Sequence, residues 1–340
     1  MLWRRVTSGA MVVSLLTFVG VAASQTVAPS SAVATPVASS TQSAASAPSS
    51  RIVNGSTADR TATPWFVMLR ISSGGEAFLC GGTAISSRWI VTAAHCVYGL
   101  SSHDVSSSRV VVNPDSIYNY AKSSEYKLNS VIVNPGYDDN DQENDIALIN
   151  TKKAMSTTPM AYGGSASVPA LGTSTRVFGL GLTSMPGNLA NSLRVGSVID
   201  LAGPTGNCGS YGSSYDPATM LCAGVPSSRV DACKGDSGGP LTAWAGRRTL
   251  VGIVSWGYGC ASEGFPGVYT RVSTYADWIG QNTGVPANNA PVSLTSPAEL
   301  RSERPCSTRT CKLKKSGSLS LVVRNLGDAA GQWTVSARKV

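Results

Sequence analysis

A ten-residue stretch, Asp-Ala-Cys-Lys-Gly-Asp-Ser-Gly-Gly-Pro at 231–240, constrains this chain more than any other part of it. Ser237 has Gly235 before it and Gly238 and Gly239 directly after it. Because glycine has no side chain, the backbone N–H groups beside the serine can approach a bound molecule closely. A serine hydroxyl becomes a good nucleophile only when a neighbouring base accepts its proton. The stretch alone is also compatible with an ordinary glycine-rich turn, so the rest of the chain must supply the base.

The candidates for a base are few, because the chain has two histidines. His95 ends the apolar run Trp-Ile-Val-Thr-Ala-Ala-His and is followed by a cysteine, whereas His103 lies in a polar loop and is interpreted as merely exposed. Asp145 immediately precedes the apolar run Ile-Ala-Leu-Ile. A carboxylate that enters a core usually has a specific partner, because burying it unpaired is costly. His95 is therefore the candidate base for Ser237, and Asp145 the candidate acid that orients it.

Three motifs, T-A-A-H-C, N-D-I-A-L-I and G-D-S-G-G-P, occur in this order and resemble those of the chymotrypsin-like (trypsin-type) serine proteases. The chain order His, Asp, Ser differs from that of subtilisin-like enzymes and α/β-hydrolases. The resemblance covers residues 52–281, about two-thirds of the chain. It implies an endopeptidase that forms an acyl-enzyme, with His95, Asp145 and Ser237 as catalytic residues. It also implies an oxyanion hole made by the N–H groups of Gly235 and Ser237.

Short apolar runs broken by Gly, Ser, Asn and Pro predict an all-β fold, a sandwich or a barrel. Examples of these runs lie at 65–69, 88–91, 109–112, 131–133 and 250–254. The family resemblance implies two antiparallel β-barrels with the active site between them. His95 and Asp145 would come from the first barrel and Ser237 from the second. A C-terminal helix is predicted at 273–281, where apolar residues recur at i, i+3 and i+4.

Eight cysteines, an even number, indicate disulfides and an oxidising compartment. The spacing by itself leaves 105 connectivities open. The family resemblance implies three pairs in the catalytic region, 80–96, 208–222 and 233–260. Cys306 and Cys311 are expected to pair locally in the C-terminal part of the chain.

The N-terminal region is predicted to be a secretory signal peptide over residues 1–24. Arg4 and Arg5 are followed by an apolar stretch of about 14 residues and by small residues suited to cleavage. A membrane anchor is the alternative, but about 20 apolar residues are needed to span a bilayer. We therefore expect a secreted protein with no membrane span in its mature form. Residues 25–51, rich in Ser, Ala, Thr and Pro, are expected to be a disordered activation propeptide.

The propeptide ends at the sequence Arg51-Ile52-Val53-Asn54-Gly55, a basic residue followed by a small apolar segment. This junction resembles the activation site of trypsin-like zymogens, whose usual I-V-G-G is I-V-N-G here. The resemblance implies that cleavage after Arg51 frees an ammonium on Ile52, which folds inward and pairs with Asp236.

The substrate pocket is predicted from Asp231, which lies six residues before Ser237. A carboxylate in a dry pocket requires a cationic guest, because an unpaired buried charge is costly. The resemblance adds Ser255, Gly257 and Gly267 as pocket walls and implies protein or peptide substrates with Arg or Lys before the cleaved bond. It leaves protein inhibitors of serine proteases open as partners. Ala232 stands where such enzymes often have serine, which favours Arg over Lys.

Two further departures from the family pattern are visible. Gly179-Leu180-Gly181 replaces the usual G-W-G, which is expected to alter packing near the active-site loops. The region from Asn113 to Glu125 lacks the clustered acids of the calcium loop of some relatives. We therefore expect no metal and no cofactor.

The protease domain is expected over 52–282, a linker over 283–300 and a basic extension over 301–340. The extension has nine Lys or Arg and two acids, which accounts for +7 of the chain's net charge of +8. Two apolar runs in the extension predict a hairpin. Its charge is explained either by attachment to an anionic polymer or by a solvated tail.

No nucleic-acid partner is expected for the catalytic domain. The alternative function is a catalytically silent binding protein on the same fold.

Overall fold

The computed structural model describes residues 52–184, 186–202, 208–225, 230–293, 319–323 and 331–335. The predicted signal peptide, the propeptide with Arg51, and the Cys306–Cys311 pair lie outside the described residues. The same holds for most of the linker and most of the basic extension.

The described residues form mainly β-strands, with two short α-helices and four 3₁₀ turns. The strands are β1 Ser56–Thr57, β2 Phe66–Ser73, β3 Glu76–Ala84, β4 Trp89–Thr92, β5 Arg109–Val112, β6 Glu125–Val133, β7 Ala147–Thr151, β8 Ala161–Tyr162, β9 Ser174–Gly179, β10 Arg194–Asp200, β11 Met220–Gly224, β12 Pro240–Trp244, β13 Arg248–Trp256, β14 Gly267–Arg271, β15 Leu319–Val323 and β16 Gly331–Val335. The α-helices are α1 Ser102–Ser107 and α2 Ala276–Thr283, and the 3₁₀ turns are Arg60–Ala62, Lys122–Ser124, Gly209–Ser214 and Val272–Tyr275.

The first barrel is closed by six antiparallel strands in the order β2-β3-β4-β7-β6-β5. Its inward residues are mostly β-branched or leucine, as a small barrel filled by side chains requires. Leu69, Ile90 and Leu148, from three different strands, are fully buried in this core. The predicted runs at 65–69, 88–91, 109–112 and 131–133 each fall on a strand of this barrel, although β2 and β6 extend well beyond their runs.

The second barrel is also closed by six antiparallel strands, in the order β9-β10-β11-β14-β13-β12, because β9 pairs with both β12 and β10. Two short strands extend it, since β1 pairs with β10 and β8 pairs in parallel with β13. The predicted run at 250–254 lies within β13. The prediction of two antiparallel β-barrels is confirmed.

The C-terminal helix is also confirmed, as a 3₁₀ turn that continues into α2. Tyr275 and Ile279 are buried and Trp278 is partly buried, all in one cluster with residues of the first barrel. The structure adds α1, which the apolar pattern does not indicate. This helix begins with a capping box, in which Ser101 and Asp104 each bind the backbone N–H of the other.

Three disulfides join Cys80 to Cys96, Cys208 to Cys222 and Cys233 to Cys260, as the family resemblance implies. In the basic extension, β15 and β16 pair antiparallel with each other, so the two predicted runs do form a hairpin. Within the described residues, no helix combines the length and the apolar character that crossing a membrane requires.

Candidate active site

His95 and Asp145 form a two-point contact at the edge of the first barrel. The backbone N–H of His95 donates to Asp145 Oδ1 at 2.9 Å, and His95 Nδ1 lies 2.8 Å from Asp145 Oδ2. The histidine follows β4, and the disulfide from Cys96 to Cys80 ties its turn to β3. An Nδ1–H that donates to the carboxylate leaves Nε2 free to accept a proton. The ring therefore has the tautomer that a general base needs.

The carboxylate of Asp145 is 1% exposed and is satisfied from both barrels. Besides His95, it accepts a hydrogen bond from the hydroxyl of Ser255 at 2.5 Å. The backbone carbonyl of Asp145 accepts another hydrogen bond, from the hydroxyl of Thr270 at 2.6 Å. A buried charge is tolerated only when its oxygens have such partners. The two hydroxyl contacts were not predicted, because they join residues that are distant in sequence.

Two opposing effects act on the pKa of His95, which is raised overall. Burial lowers the pKa, because it penalises the charged imidazolium. The hydrogen bond to Asp145 and the negative charges of Asp145 and Asp139 raise it, and together they prevail. His95 is thus set to hold a proton somewhat more firmly than a free imidazole.

Ser237 is held in place by backbone hydrogen bonds from both barrels. Its carbonyl accepts from Gly81 N–H at 2.7 Å, and the next N–H, that of Gly238, donates to Val254 O at 2.8 Å. Gly238 has a φ of 75°, and a Cβ there would collide with the hydroxyl of Thr92. The glycine after the serine is therefore required by both conformation and space.

His95 and Ser237 line the same cavity of about 350 Å³. Within the described part of the chain, no direct hydrogen bond joins the two side chains. Such contacts are often long in unliganded enzymes and tighten when a substrate binds. The structure thus brings the three residues predicted to be catalytic to one place.

The predicted oxyanion hole lies in the same loop. Gly235 has a φ of 91°, and its α-carbon lies against Gly181, since a Cβ would be 3.1 Å from Gly181 Cα. Among the described residues, the N–H groups of Gly235 and Ser237 donate to no protein acceptor. Two N–H groups without a protein acceptor at a cavity suit an incoming oxygen.

Asp231 also lines the cavity and is 4% exposed. Its carboxylate accepts backbone N–H groups from Ala232 and Ala261, each at 2.8 Å. Burial raises the pKa of Asp231 to about 6, although these backbone hydrogen bonds act in the opposite direction. The shift measures the cost of an anion in this pocket, which a bound cation would remove.

The other predicted pocket residues, Ser255, Gly257 and Gly267, also line this cavity. A Cβ on Gly267 would be 2.6 Å from Asp231 Oδ1, so only glycine leaves the carboxylate its position. Sequence reasoning missed Lys234 and Gln142, which also line the cavity.

It also missed a group of four aromatic rings beside the cavity. The four residues are Tyr211, Trp256, Tyr258 and Phe265. Tyr211 packs edge-on against the other three, with ring centroids 4.8–5.3 Å apart. Trp256 belongs to the Ser-Trp-Gly motif, but no sequence signal marks Tyr211, which lies in a 3₁₀ turn.

The residues predicted to act in activation lie at the second barrel. Ile52 is 1% exposed in its core, and Val53 forms a β-bridge with Asp231. Asp236 is fully buried, and its carboxylate accepts N–H groups from Gly181 at 2.7 Å and Cys233 at 2.9 Å. Burial raises the pKa of Asp236 to about 7. No cationic side chain among the described residues pairs with it.

In Gly179-Leu180-Gly181, the space beside Asp236 requires glycine at positions 179 and 181. A Cβ on Gly179 would collide with Asp236 Oδ1, and one on Gly181 would be 2.7 Å from Asp236 Cγ. The G-x-G pattern therefore follows from the close approach of Asp236, whereas the residue between the glycines is free to differ. Asn54, which replaces a glycine of the family pattern, has a φ of 57°, a conformation that asparagine tolerates.

Two clusters of side chains bear on the expectation of no metal. Cys80, His95 and Cys96 have ligand-type atoms within 4.8 Å of one another, but the two sulfurs are joined in a disulfide. A cysteine binds a metal ion as a thiolate, and neither sulfur of a disulfide is a thiolate. In the loop from Asn113 onward, Glu125 lies 3.4–3.8 Å from the cationic groups of Arg70, Arg109 and Lys122. Its charge is met by side chains, and the expectation of no metal stays a prediction.

The chain was compared with known proteins. The family model described as Trypsin matches residues 52–279. The chain is 35% identical over 238 residues to serine protease 56 of Mus musculus, and 34% identical over 255 residues to serine protease 56 of Homo sapiens. These matches cover 67% and 71% of this chain but 38% and 40% of those proteins, so the chain spans about two-fifths of their length. It is 36% identical over 244 residues to Trypsin Blo t 3 of Blomia tropicalis, with 69% of this chain and 86% of that protein covered.

Proposed function

The chain belongs to the trypsin family of serine proteases, and on that premise we propose that it is a secreted serine endopeptidase, made as a zymogen, which cleaves after Arg or Lys and prefers Arg. One observation carries the proposal. The oriented His95–Asp145 pair, Ser237 and the buried carboxylate of Asp231 all belong to one arrangement around a single cavity. A nucleophile with its base and a charged guest site in one cavity suit hydrolysis beside a cationic residue.

The proposed reaction has two halves. Ser237 Oγ attacks the carbonyl carbon of the scissile peptide while His95 Nε2 takes the hydroxyl proton. The C–N bond then breaks as His95 returns that proton to the leaving amine, which leaves an acyl-enzyme on Ser237. Water attacks this ester with His95 again as the base, and the C–O bond to Ser237 breaks as His95 returns the proton to Ser237 Oγ, which frees the acid. Asp145 holds the imidazole and stabilises its positive charge throughout.

The N–H groups of Gly235 and Ser237 are proposed to bind the oxygen of the tetrahedral intermediate. Their lack of acceptors among the described residues supports this role. One such donor contributes about 2.7–4 kcal/mol of barrier lowering in enzymes of this type.

Asp231 is proposed to select the residue before the cleaved bond. Burial raises its pKa to about 6, and a cationic guest offsets this cost of the buried charge, whereas a neutral guest does not. Gly257 and Gly267 leave room for a long side chain along the pocket, and the backbone of Ser255 and Gly257 is proposed to pair with the substrate as an added strand.

Activation is proposed to occur by cleavage after Arg51, which frees the ammonium of Ile52 to pair with Asp236. Two facts support this step. Asp236 is fully buried with a pKa of about 7, and the described residues offer it no cation. The segment that would carry the new ammonium already lies in the second barrel, where Ile52 is buried. Because Arg51 fits the pocket proposed at Asp231, the enzyme can be expected to cleave its own junction.

Secretion is the remaining part of the proposal. Three disulfides in the catalytic region are typical of an extracellular or otherwise oxidising compartment. The predicted signal peptide over residues 1–24 supports the same route.

The decisive test is labelling with an organophosphate fluoride, which reacts with an activated serine. After cleavage at Arg51, the wild type should gain one stoichiometric adduct on Ser237, whereas Ser237→Ala should gain none. The Arg51→Gln chain should stay unlabelled and fail to mature on its own. No adduct on the cleaved wild type would favour the catalytically silent binding protein instead.

A further inference from the structure

The segment that follows the proposed cleavage site is docked on strand β10. Ser56 pairs with Val195, and Thr57 pairs with Arg194. Further along β10, Gly196 makes room for Ile52, because a Cβ there would be 3.2 Å from Ile52 Cγ2. Both ends of the segment from Ile52 to Thr57 therefore lie against β10, while Val53 between them bridges to Asp231.

Arg194 fixes this segment with its side chain as well as its backbone. The residue is 5% exposed. Its guanidinium donates to the carbonyl of Gly55 at 3.1 Å and to the hydroxyl of Thr57. A buried guanidinium is suited to this task, because its planar fork can hold two acceptors at once in a fixed geometry.

Arg194 lies next to β9, the strand that contacts Asp236. Arg194 pairs in register with Gly179 on β9, and Gly179 packs directly against Asp236 Oδ1. A segment held at Gly55 and Thr57 is thereby kept close to the proposed acceptor of the new ammonium.

The backbone of Ile52 adds a reason for the segment to stay docked after cleavage. Its φ is 41°, which is rare for a β-branched residue and therefore strained. This torsion is defined by the carbonyl carbon of the preceding residue. Cleavage before Ile52 removes the constraint, so the docked position loses its strain at the moment the ammonium forms.

We propose that Arg194 is a positioning residue that holds the segment Gly55–Thr57 on β10 and so keeps the ammonium of Ile52 buried beside Asp236. The inference rests on the proposed activation by cleavage after Arg51. Arg194 acts through Ile52 and touches no reacting atom. Its removal should therefore change how well the ammonium is retained, and not the chemistry of Ser237.

The experiment measures retention of the ammonium directly. The full chain, cleaved after Arg51 by immobilised trypsin, is treated with cyanate, and carbamylation of the Ile52 amine is followed by mass spectrometry. In parallel, kcat/KM for an Arg peptide is measured from pH 7 to 11. Arg194→Met should carbamylate about tenfold faster than wild type and lose activity at a pH about one unit lower. Arg194→Lys should lie between them, and Thr57→Ala should shift less in the same direction.

Arg247→Met is the matched control, because Arg247 is an exposed arginine in the turn between β12 and β13. It should behave as wild type. Wild-type rates in Arg194→Met would overturn the inference while leaving the proposed activation intact. If Arg194→Met does not fold, unchanged rates in both Arg194→Lys and Thr57→Ala overturn it equally. A wild-type amine that reacts as fast as the free peptide Ile-Val-Asn-Gly would instead contradict the activation step itself, and this inference with it.

Discussion

The hydroxyl of Ser255 donates to Asp145 Oδ2 at 2.5 Å, the same carboxylate oxygen that lies 2.8 Å from His95 Nδ1. Ser255 belongs to β13 of the second barrel, whereas Asp145 lies two residues before β7 of the first barrel. The orientation of the acid therefore depends on how the two barrels meet. A local change in either barrel that moves this contact should therefore change the orientation of His95.

Ser255→Ala tests this dependence. The variant keeps the backbone groups proposed to bind substrate and removes one hydrogen bond to a buried carboxylate. Such a bond is worth on the order of 1.5–3 kcal/mol, so kcat for an Arg peptide should fall about tenfold or more, with little change in KM. A selective rise in KM would indicate that the residue serves substrate binding alone.

The pH dependence of activity follows from the raised pKa of His95. A base must be neutral to act, so the acid limb of kcat/KM should have its midpoint above 6.5. In Asp145→Asn the negative charge that raises the pKa of His95 is lost and the hydrogen bond to the ring becomes a weaker, neutral one, while burial still lowers the pKa. The acid limb should therefore move below 6.5, and kcat should fall by about 10²–10⁴-fold. Rate profiles from pH 4 to 9 measure both effects, and an acid limb at the same pH in both proteins would contradict the account.

Local motifs explain why so much of the site was predictable. His95, Asp145 and Ser237 each lie in a short pattern whose chemistry can be recognised before any fold is known. The hydroxyls of Ser255 and Thr270 reach Asp145 from 110 and 125 residues away, and no local pattern encodes such contacts. Helix α1 was missed for another reason, since its serine-rich sequence has no apolar periodicity and depends on capping by Ser101 and Asp104.

Asp236 should make the stability of the uncut chain depend on pH. The pKa of Asp236 is about 7 in the folded state, against an ordinary value of 3.8. At a pH between these two values the folded state still holds a proton that the unfolded state has lost. This carboxyl therefore lowers the free energy of unfolding as pH climbs from about 4 to 7. In the Arg51→Gln background, Asp236→Asn should reduce the fall in Tm over this window by about 4 °C or more. Thermal melts of the two proteins at several pH values measure it, and parallel curves would contradict the buried, unpaired carboxylate.

Gly267→Ala should damage the pocket through Asp231 itself. A Cβ at this position would be 2.6 Å from Asp231 Oδ1, which forces the carboxylate to move. KM for Arg peptides should rise by more than tenfold, because a displaced carboxylate loses its charged hydrogen bonds to the guest. Gly257→Ala is the matched comparison, since its nearest neighbour would be Tyr211 Oη at an ordinary 3.5 Å. Titration of both variants with benzamidine, a cationic probe of the pocket, should show the larger loss of affinity for Gly267→Ala.

The choice between Arg and Lys should depend on Ala232. This residue lines the cavity, and its N–H donates to Asp231 Oδ1 at 2.8 Å. A guanidinium can pair with the Asp231 carboxylate through two parallel hydrogen bonds, whereas the shorter, strongly hydrated ammonium of lysine needs a further acceptor nearby. A serine hydroxyl at position 232 would supply one, and alanine cannot.

One missing hydrogen bond to a charged group costs on the order of 1.5–3 kcal/mol. Wild-type kcat/KM should therefore favour Arg over Lys by about tenfold or more in peptides matched at every other position. Ala232→Ser should narrow this ratio by improving the Lys peptide while leaving the Arg peptide nearly unchanged. Ala232→Val, which adds bulk without an acceptor, separates the effect of the hydroxyl from that of size. Equal kcat/KM for the two wild-type substrates would refute the role given to Ala232, because the pocket would then satisfy a lysine ammonium without any hydroxyl at this position.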